Sequence, residues 1–563
     1  MTTSTTTKSD TYTPEDKSTR RLLKWSLLML PAVILTAMGQ PDRGIFPPLL
    51  CYCFGYLSIF AIILQFRLLL TRFLVSFILM VFVQLHQLNW VATTTYHGKG
   101  ILALYALLVL GIAAQFALLS LFLPRDRPLS MVRCGAIASL WAIIEISRLY
   151  YLCGFPFNSV GLVMTFHPSI MQMASIFGIY GLSFWVIFTS TWGASSFLQS
   201  SPKCLVIWLS LLILPALFGY FHIQYHDERS RGEKIIETAL IQTGLEVEQK
   251  WEFPKKREKY VSPYEQWKKI FQLMDSAPKK NYDLVILPEV AVPGDACYTQ
   301  IDYQKCLEEI FRSDDRLPLL EFPFAETNTE DKWEVSHVWM AQALANRFKS
   351  ELVIGLLDHD SAANESYNSA FHIVPFRKAV HRYEKRVLVP LAEYLPLPMM
   401  KSFLEEYGIS SFFTPGKKAK VFTGQIPLSV SICYEEGFNN LMREARVLGA
   451  KLLVNVTNDG WFPRSRLPQE HFNLGRVRSV ENGIPVLRAC NTGITAAIDS
   501  LGRVINEMKE VDFEGKNTQG VVFASLNTYS YTTIFSLFGN SLILLVSSIV
   551  LLAFFFYKRA FQF

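Results

Sequence analysis

Long apolar runs are the feature of this sequence that most restricts its fold. Seven of them precede residue 224 and one follows residue 532, at 21–40, 45–66, 69–91, 101–124, 131–152, 170–197, 204–224 and 533–557. A helix needs about 20 apolar residues to cross the roughly 30 Å hydrocarbon core of a bilayer, and each run is close to that length. The sequence therefore predicts an α-helical membrane bundle of eight spans, with one water-exposed domain between the seventh and the eighth.

The composition agrees with this division and excludes several other classes of protein. Of the 563 residues, 50% are hydrophobic and 18% are charged, which excludes a disordered or a fibrous chain. Nine cysteines are too few for a disulfide scaffold, and a net charge of +6 does not indicate a nucleic-acid-binding surface. We expect a disordered tail at 1–20, a seven-span bundle at 21–224, a globular domain at 225–530, an eighth helix at 533–557 and a C-terminal tail at 558–563.

Lysine and arginine residues in the short loops predict the orientation of the bundle. With eight spans, one side of the membrane receives Arg20, Arg21, Lys24, Arg67, Arg72, Arg125, Arg127, Arg133, Lys203, Lys558 and Arg559. The short loops of the other side contain only Arg43 and Lys99. Because cytoplasmic loops are enriched in lysine and arginine, both chain ends are expected in the cytoplasm and the globular domain on the periplasmic or extracellular side.

Four polar side chains within the apolar runs suggest a structural or functional role. Glu145 and Arg148 are three residues apart on one helical face and can form an ion pair. Such a pair either braces the bundle or contacts a lipid headgroup and supports the outer domain. His222 and His226 have the spacing of metal ligands, but no carboxylate or cysteine pattern accompanies them, so we expect no metal site.

Strand-like and helix-like segments alternate in the globular domain. Apolar patterns predict strands at 234–243, 282–289, 351–357, 368–375, 419–433, 451–457, 486–498 and 518–526. Helical patterns separate some of these strands, at 262–276, 337–348, 437–448 and 469–482. The alternation indicates an α/β or layered α+β domain. The domain has no glycine-rich phosphate loop, so we expect no nucleotide cofactor.

Three chemically competent side chains follow strands of this domain, where active-site residues of α/β domains collect. Glu289 ends the segment 284–289, Lys385 follows 380–384, and Cys433 ends 428–433. Taken singly, each has an ordinary structural interpretation, such as a cap or a small core residue. Together they supply a nucleophilic thiolate, a general base and a cation that stabilises an oxyanion, which is the chemistry of acyl transfer.

The sequence around these residues resembles the catalytic triad of the nitrilase, or carbon–nitrogen hydrolase, superfamily. The resemblance lies in Leu-Pro-Glu289, Tyr-Glu-Lys385-Arg and Ile-Cys433-Tyr-Glu, with a further matching segment at 455–462. Within that superfamily the chain is most similar to the apolipoprotein N-acyltransferase family. This closer similarity also covers Gln242, Lys250, Trp251, 388–396, 413–416, 478–481, 487–495, Glu145, Arg148 and the Gly-Phe-Pro of 154–156.

The resemblance implies a fold, a location and a reaction. The domain is expected to be a nitrilase-like αββα sandwich on the periplasmic side of a bacterial inner membrane. The acyl donor would be a membrane phospholipid, and the acceptor would be the N-terminal amine of the diacylglyceryl-cysteine of an apolipoprotein. The reaction would be ping-pong through a thioester. We expect a monomer that binds the bilayer and both substrates, without nucleic acid or cofactor.

The resemblance also implies a role for each site residue. Cys433 would be the nucleophile, Glu289 the base for both the thiol and the amine, and Lys385 the oxyanion stabiliser. The supporting or substrate-binding residues would be Trp251, Glu393, Tyr434 and Glu435.

Two positions depart from the family pattern, and one segment has two interpretations. Phe157 stands where the family often has Trp, and Gly460 where Ala is expected, so substrate fit rather than activity is expected to differ. The segment 387–404 is apolar and broken by prolines. It either packs into the domain or faces the bilayer, where it would let lipid chains reach Cys433.

Two other functions share part of this evidence. A membrane-anchored nitrilase-type amidohydrolase would use the same triad, but one span would suffice to anchor it. A non-enzymatic scaffold or transporter would not need all three catalytic residue types, and the bundle has few charges for ion coupling. In an oxidising compartment Cys297, Cys306 and Cys490 have the option of pairing with one another, whereas the nucleophile must stay a free thiol.

Overall fold

The computed structural model describes residues 27–41, 44–123, 129–151, 154–252, 257–279, 281–394, 412–511 and 516–560. The predicted tail at 1–20 and residues 561–563 lie outside the described residues, as does 395–404 of the apolar segment.

Each of the eight apolar runs contains a helix. Six helices of the described residues are long and apolar enough to cross a membrane: Phe46–Ile63, Leu69–Gln87, Ile101–Ser120, Ala174–Gln199, Pro202–Ser230 and Asn540–Tyr557, the last continuing to Ala560. The helix of the first run is described over Leu27–Ala37, and that of the fifth, Met131–Ser147, has 17 residues. The structure thus contains an apolar helical bundle, and the count of eight spans remains a prediction.

Two predicted spans are interrupted at glycines. The run at 170–197 begins with a separate helix, Pro168–Met171, and the following Ala174–Gln199 helix kinks at Gly178 (φ 67°, ψ −173°). The run at 533–557 is divided at Gly539 (φ 57°) into Ile534–Phe538 and the long C-terminal helix. Glycine adopts such positive φ angles without the steric cost that a Cβ imposes. Apolar composition alone carries no sign of these breaks.

Several of the cationic residues that predict the orientation lie within helices rather than loops, among them Arg133, Lys203 and the buried Arg72. Arg72 lies in the Leu69–Gln87 helix, where its side chain is 1% exposed. Its guanidinium donates hydrogen bonds to the carbonyls of Phe66 and Leu123, which follow the ends of two neighbouring helices. Arg72 therefore satisfies backbone groups inside the bundle.

In the described residues, the domain contains two large sheets and one small one. The strands are β1 Ile235–Gln242, β2 Leu284–Ile286, β3 Ile301–Asp302, β4 Ala325–Thr327, β5 Trp333–Val335, β6 Glu351–Asp360, β7 Glu365–Ile373, β8 Val380–Glu384, β9 Leu428–Ile432, β10 Leu452–Thr457, β11 Val486–Cys490, β12 Thr495–Ile498, β13 Val504–Met508 and β14 Gly520–Asn527. The first sheet has the order β14-β1-β2-β6-β7-β8, the second β13-β12-β11-β10-β9, and the small one β3-β5-β4. The centres β1-β2-β6 and β9-β10-β11 are parallel, which explains their continuous runs of Val, Ile and Leu.

The strand predictions hold in position but differ in extent. The predicted strand 419–433 is regular only over β9, and 486–498 is two antiparallel strands, β11 and β12. The strand β8 corresponds to the predicted segment 380–384 that precedes Lys385. The strand β13 and the small sheet have no predicted counterpart. These extra strands are short or mixed in polarity, so their alternation of apolar residues is weak.

The two large sheets face each other and are covered by helices on their outer sides. Residues of both sheets, such as Leu240 and Val454, form one buried cluster between them. The helices Pro263–Asp275 and His337–Phe348 cover the first sheet. The helices Asn439–Val447 and Leu467–Asn482 cover the second. This order of layers confirms the αββα sandwich.

The Leu467–Asn482 helix also joins the domain to the bundle. Its residues Leu467, Leu474, Val477 and Val480 belong to the same apolar cluster as the membrane helices. The shorter helices are Asn89–Ala92, Thr94–His97, Val160–Phe166, Val247–Lys250, Arg257–Lys259, Tyr303–Glu309, Cys433–Gly437 and Asp459–Trp461.

Candidate active site

The predicted nucleophile lies at a strained turn directly after β9. Cys433 begins the helical turn Cys433–Gly437 with φ 51°, an uncommon value for a residue with a Cβ. Burial raises the pKa of the Cys433 thiol well above its usual range. The negative charge of Glu289 raises this pKa further, while the Lys385 ammonium lowers it. The thiol is therefore protonated at rest, and a base has to remove its proton before it can attack.

Glu289 and Lys385 meet at the ends of β2 and β8. The Lys385 Nζ lies 3.3 Å from Glu289 Oε1 and 2.9 Å from Glu393 Oε1. Burial alone would lower the pKa of Lys385, but the two carboxylates outweigh it and raise this pKa. A lysine that stays cationic in a buried site is suited to stabilising an oxyanion. The structure thus brings the three predicted catalytic residues together.

Asn368 on β7 is a site residue that sequence reasoning missed. Its Nδ2 donates hydrogen bonds to Glu289 Oε1 at 2.8 Å and to Glu393 Oε1 at 2.9 Å. The amide thus bridges two carboxylates that both contact Lys385, and its two hydrogen bonds offset the repulsion between them. A buried Asn at the start of a predicted strand is the only sequence signal, and it does not reveal which side chains the amide contacts.

Glu393 fixes the chain that follows Lys385. Its second oxygen accepts a hydrogen bond from the backbone N–H of Val389 at 2.7 Å. Val387 and Val389 pack against the apolar cluster of the membrane helices. The described part of the 387–404 segment therefore lies between the site and the bundle.

Glu435 joins the nucleophile turn to the loop after Lys385. The carboxylate is fully buried and accepts hydrogen bonds from the backbone N–H groups of Ile432, Arg386 and Val387 and from the Tyr383 hydroxyl. Burial raises the pKa of Glu435, which those hydrogen bonds oppose. Glu435 is thus surrounded by protein donors and acts as a brace in this structure.

Tyr434 and Trp251 occupy different surroundings. The Tyr434 hydroxyl donates a hydrogen bond to the carbonyl of Gly154 at 2.7 Å, which connects the nucleophile turn to a loop of the bundle. Trp251 ends the short helix Val247–Lys250, and among the described residues no hydrogen bond joins its side chain to the triad. The preceding Lys250 is 1% exposed, and its Nζ lies 3.5 Å from the Glu289 carbonyl oxygen. Burial lowers the pKa of Lys250 to about 7.

A second cluster of buried charges lies behind the nucleophile, and none of its residues has a role assigned from the sequence. Its members are less than 3% exposed: His471, Asp459, Glu436 and Arg488. Arg488 donates to Glu436 Oε1 at 2.8 Å and to Asp459 Oδ2 at 3.2 Å. The cluster pairs two cations with two anions and contacts the backbone of Cys433 through His471.

The two departures from the family pattern lie next to these clusters. The Phe157 ring lies 5.8 Å from the Tyr434 ring and 5.7 Å from the His471 ring, between centroids. A Cβ added at Gly460 would lie 2.7 Å from the Thr492 hydroxyl oxygen, so this turn is too crowded for Ala without a shift.

The ion pair of the fifth apolar run contacts other parts of the bundle. Glu145 Oε1 accepts a hydrogen bond from the Val160 N–H at 2.8 Å and is 4.0 Å from Arg148. Arg148 donates to Gln115 Oε1 at 2.9 Å. The interpretation as a brace of the bundle is therefore favoured.

The histidine pair of the seventh run is held by protein groups. His222 contacts Gln172 Oε1 at 3.1 Å, and His226 contacts the Tyr529 hydroxyl at 2.8 Å. Within the described ranges, no group of three or more His, Cys, Asp or Glu residues could hold a metal. Cys297, Cys306 and Cys490 are all free thiols, so the disulfide option is not used.

Two family models match the chain, one in each part. The carbon–nitrogen hydrolase model matches residues 238–530, and the model of the apolipoprotein N-acyltransferase N-terminal domain matches residues 43–192. The first match covers the domain that contains the triad, and the second covers most of the bundle before it.

Three curated proteins with similar sequences cover between 65% and 91% of the chain. The apolipoprotein N-acyltransferase of Chlamydia caviae is 32% identical over 535 residues, which are 91% of this chain and 94% of that protein. Those of Chlamydia pneumoniae and Geobacter metallireducens are 30% and 29% identical and cover 91% and 65% of this chain, and 94% and 64% of their own length. Among solved structures, a carbon–nitrogen hydrolase of Helicobacter pylori matches 52% of this chain and 89% of its own, with 16% identity and a TM-score of 0.34.

Proposed function

The chain belongs to the apolipoprotein N-acyltransferase family, and on this premise we propose that it transfers a fatty acyl chain from a membrane phospholipid to the N-terminal amine of a diacylglyceryl apolipoprotein. The observation that carries this proposal is the joining of a Glu289–Lys385–Cys433 site to an apolar bundle that matches the family's N-terminal domain. The alternative, a membrane-anchored amidohydrolase, does not explain why the bundle matches that N-terminal domain.

In the first half-reaction, the thiol of Cys433 becomes the nucleophile. Glu289 takes the thiol proton, and the thiolate attacks the carbonyl carbon of a phospholipid ester. Lys385 stabilises the oxyanion of the tetrahedral intermediate. The intermediate collapses to a thioester, and the leaving lysophospholipid oxygen takes the proton back from Glu289.

In the second half-reaction, the free amine of the lipoprotein attacks the thioester. Glu289 accepts the proton that the amine loses, and Lys385 again faces the oxyanion. The Cys433 thiolate leaves and is reprotonated, which returns the enzyme to its starting state. No cofactor takes part in this sequence, and the ping-pong order follows from using one thiol for both substrates.

The supporting residues have distinct roles in this proposal. Glu393 and Asn368 hold Lys385 and Glu289 in place. Glu435 and Tyr434 fix the nucleophile turn to the lysine loop and to the bundle. Trp251 is proposed to contact substrate, and Glu145 and Arg148 to support the loop that reaches Tyr434.

The proposal places the site at the outer face of a bacterial inner membrane. The uneven distribution of lysine and arginine supports eight spans, with the domain at 225–530 on the periplasmic side. The contact between Tyr434 and Gly154 supports a thiol held near the membrane surface, where a lipid ester is within reach. The protein is proposed to act as a monomer.

The test is a two-substrate assay in liposomes of defined phospholipid. The acceptors are a diacylglyceryl lipopeptide with a free N-terminus, the same lipopeptide with an acetylated N-terminus, and small primary amides. We expect N-acylation of the free lipopeptide only, and none by Cys433→Ala. Release of ammonia from the amides without any acylated lipopeptide would refute the proposal and favour the amidohydrolase.

A further inference from the structure

The histidine behind the nucleophile contacts the backbone of Cys433. His471 Nε2 lies 3.2 Å from the carbonyl oxygen of Cys433 and 3.0 Å from Glu436 Oε1. His471 Nδ1 lies 2.8 Å from Asp459 Oδ1. Arg488 Nη2, a donor, also lies 2.9 Å from Nδ1. Both partners of Nε2, the Cys433 carbonyl and the Glu436 carboxylate, are acceptors, so Nε2 carries a proton.

The buried charges around His471 support this protonation state. Burial alone would lower the pKa of His471, but Glu436 and Asp459 outweigh it and raise this pKa to about 9. The neighbouring Arg488 opposes the two carboxylates and lowers it. The ring therefore carries a proton on Nε2 at neutral pH and donates toward the Cys433 carbonyl.

Fixing that carbonyl fixes the peptide group that follows the nucleophile. A trans peptide is planar, so the C=O of Cys433 and the N–H of Tyr434 point in opposite directions. Cys433 has φ 51°, a conformation that a residue with a Cβ keeps only where its surroundings hold it. Asn455 Nδ2 also approaches this carbonyl, at 3.4 Å. The carbonyl is thus held toward the buried cluster, and the Tyr434 N–H is directed away from it.

We propose that His471 is a positioning residue for acyl transfer, which holds the Cys433–Tyr434 peptide so that the Tyr434 N–H serves with Lys385 as an oxyanion donor. The proposal rests on the proposed function, because only attack on an acyl carbonyl creates the oxyanion. It assigns a use to a buried ion cluster that touches none of the triad side chains through a hydrogen bond among the described residues.

Two substitutions separate the donor to Cys433 from the rest of the cluster. In His471→Asn, the side-chain nitrogen falls near the position of Nδ1, so it still reaches Asp459 but not the Cys433 carbonyl. In His471→Gln, the side-chain nitrogen falls near the position of Nε2 and still reaches that carbonyl. The matched control is His372→Gln, since His372 is fully buried and paired with Glu351 Oε2 at 3.1 Å, away from the triad.

The experiment measures two reactions of Cys433 in the full-length protein, reconstituted with phospholipid. The first is the rate of acyl-Cys433 formation, which passes through an oxyanion. The second is the rate of alkylation by iodoacetamide, which displaces iodide at a saturated carbon and forms no oxyanion. For His471→Asn we expect acylation to fall about 10²-fold, as when one oxyanion donor is lost, with the alkylation rate unchanged. His471→Gln should restore most of the acylation rate, and His372→Gln should change neither.

Three results would overturn the proposal. Wild-type acylation by His471→Asn would show that the hydrogen bond has no role. An equal fall of acylation and alkylation would show that His471 supports the thiol or its base instead. A folded His471→Gln that acylates no faster than His471→Asn would show that the donor is not the cause. If the wild-type protein is alkylated at Cys433 but never acylated by phospholipid, the proposed function fails first.

Discussion

Replacing Asn368 with Asp tests whether Glu289 is the base of the first half-reaction. The change puts a third carboxylate where the amide now donates to Glu289 and Glu393 at 2.8 and 2.9 Å. Two like charges about 4 Å apart repel by about 4 kcal/mol at the effective dielectric of a protein site. Lys385 contacts both carboxylates, and a third negative charge beside them raises the affinity of these acids for a proton.

The expected consequence is a displaced pH profile rather than an inactive protein. We expect the acidic limb of the acylation profile to move up by about 1–3 pH units, since 1.4 kcal/mol corresponds to about one unit. At a pH below the midpoint of the wild-type acidic limb, the rate of acyl-Cys433 formation should fall by about 10- to 1,000-fold, and it should recover as the pH rises. Intact-protein mass at pH 5 to 9, with phospholipid present and no acceptor, gives this rate.

The control for this prediction is Asn346→Asp. Asn346 is buried in the His337–Phe348 helix, where its amide donates a hydrogen bond to the Arg316 carbonyl at 2.9 Å. This helix covers the outer side of the first sheet and does not carry a triad residue. We expect it to lower thermal stability without changing the pH profile per folded molecule. An unshifted profile and a wild-type rate for Asn368→Asp would refute the assignment of the base.

Four further predictions concern the triad and its supports. Cys433→Ala should lower N-acylation by about 10⁴-fold or more with little change in the folded amount, and alkylation of the wild-type thiol should be slowed by prior loading with phospholipid. Glu289→Gln should form no acyl-Cys433, because a neutral amide does not accept the thiol proton; acylation at the wild-type rate would contradict the mechanism at its first step. Glu435→Ala leaves three backbone N–H groups without their acceptor, and each unsatisfied group costs about 1–3 kcal/mol of stability. The melting temperature and the rates of both half-reactions should therefore fall. His471 has a pKa raised from 6.5 to about 9, so its contribution to stability is complete below pH 6.5 and is lost as the pH rises through 9. The melting temperature of the wild type should therefore fall over that interval relative to His471→Gln, by the equivalent of about 3 kcal/mol at most.

The sequence predicts the parts of this fold that repeat a strong pattern. Apolar runs locate the long helices of the described part of the bundle, and Val-, Ile- and Leu-rich segments locate the parallel strands at the sheet centres. Breaks within those runs, at Gly178 and Gly539, escape the prediction because they depend on tertiary packing. The Cβ of an added side chain at Gly178 would lie 2.6 Å from the Phe535 ring, a contact between distant parts of the chain.

The residues of the site likewise include some that the sequence predicts and some that it does not. Glu289, Lys385 and Cys433 follow strands within recognisable motifs, so their convergence is predictable. Asn368 and His471 are missed because their roles depend on hydrogen bonds to residues 79 and 38 positions away. Neither residue belongs to a recognisable motif. Their partners become visible only when the folded positions of β7 and of the Leu467–Asn482 helix are known.

The docking of the domain on the bundle is also a property of the folded structure. The Leu467–Asn482 helix carries Glu470, which accepts hydrogen bonds from the indole of Trp90 and the backbone of Asn158 in two bundle loops. The next residue, His471, contacts the nucleophile. A single helix therefore connects the bundle to the turn that carries Cys433. Its sequence pattern does not reveal which helix face contacts the bundle and which contacts the nucleophile.

The most direct test of the account is the mass of the intact protein before and after each substrate. After incubation with phospholipid alone, we predict one added fatty-acyl mass on Cys433 that hydroxylamine removes. Addition of a diacylglyceryl lipopeptide with a free amine should then remove that mass from the protein and add it to the lipopeptide. An adduct on another residue, an adduct that the lipopeptide does not discharge, or acylated lipopeptide formed by Cys433→Ala would contradict the account.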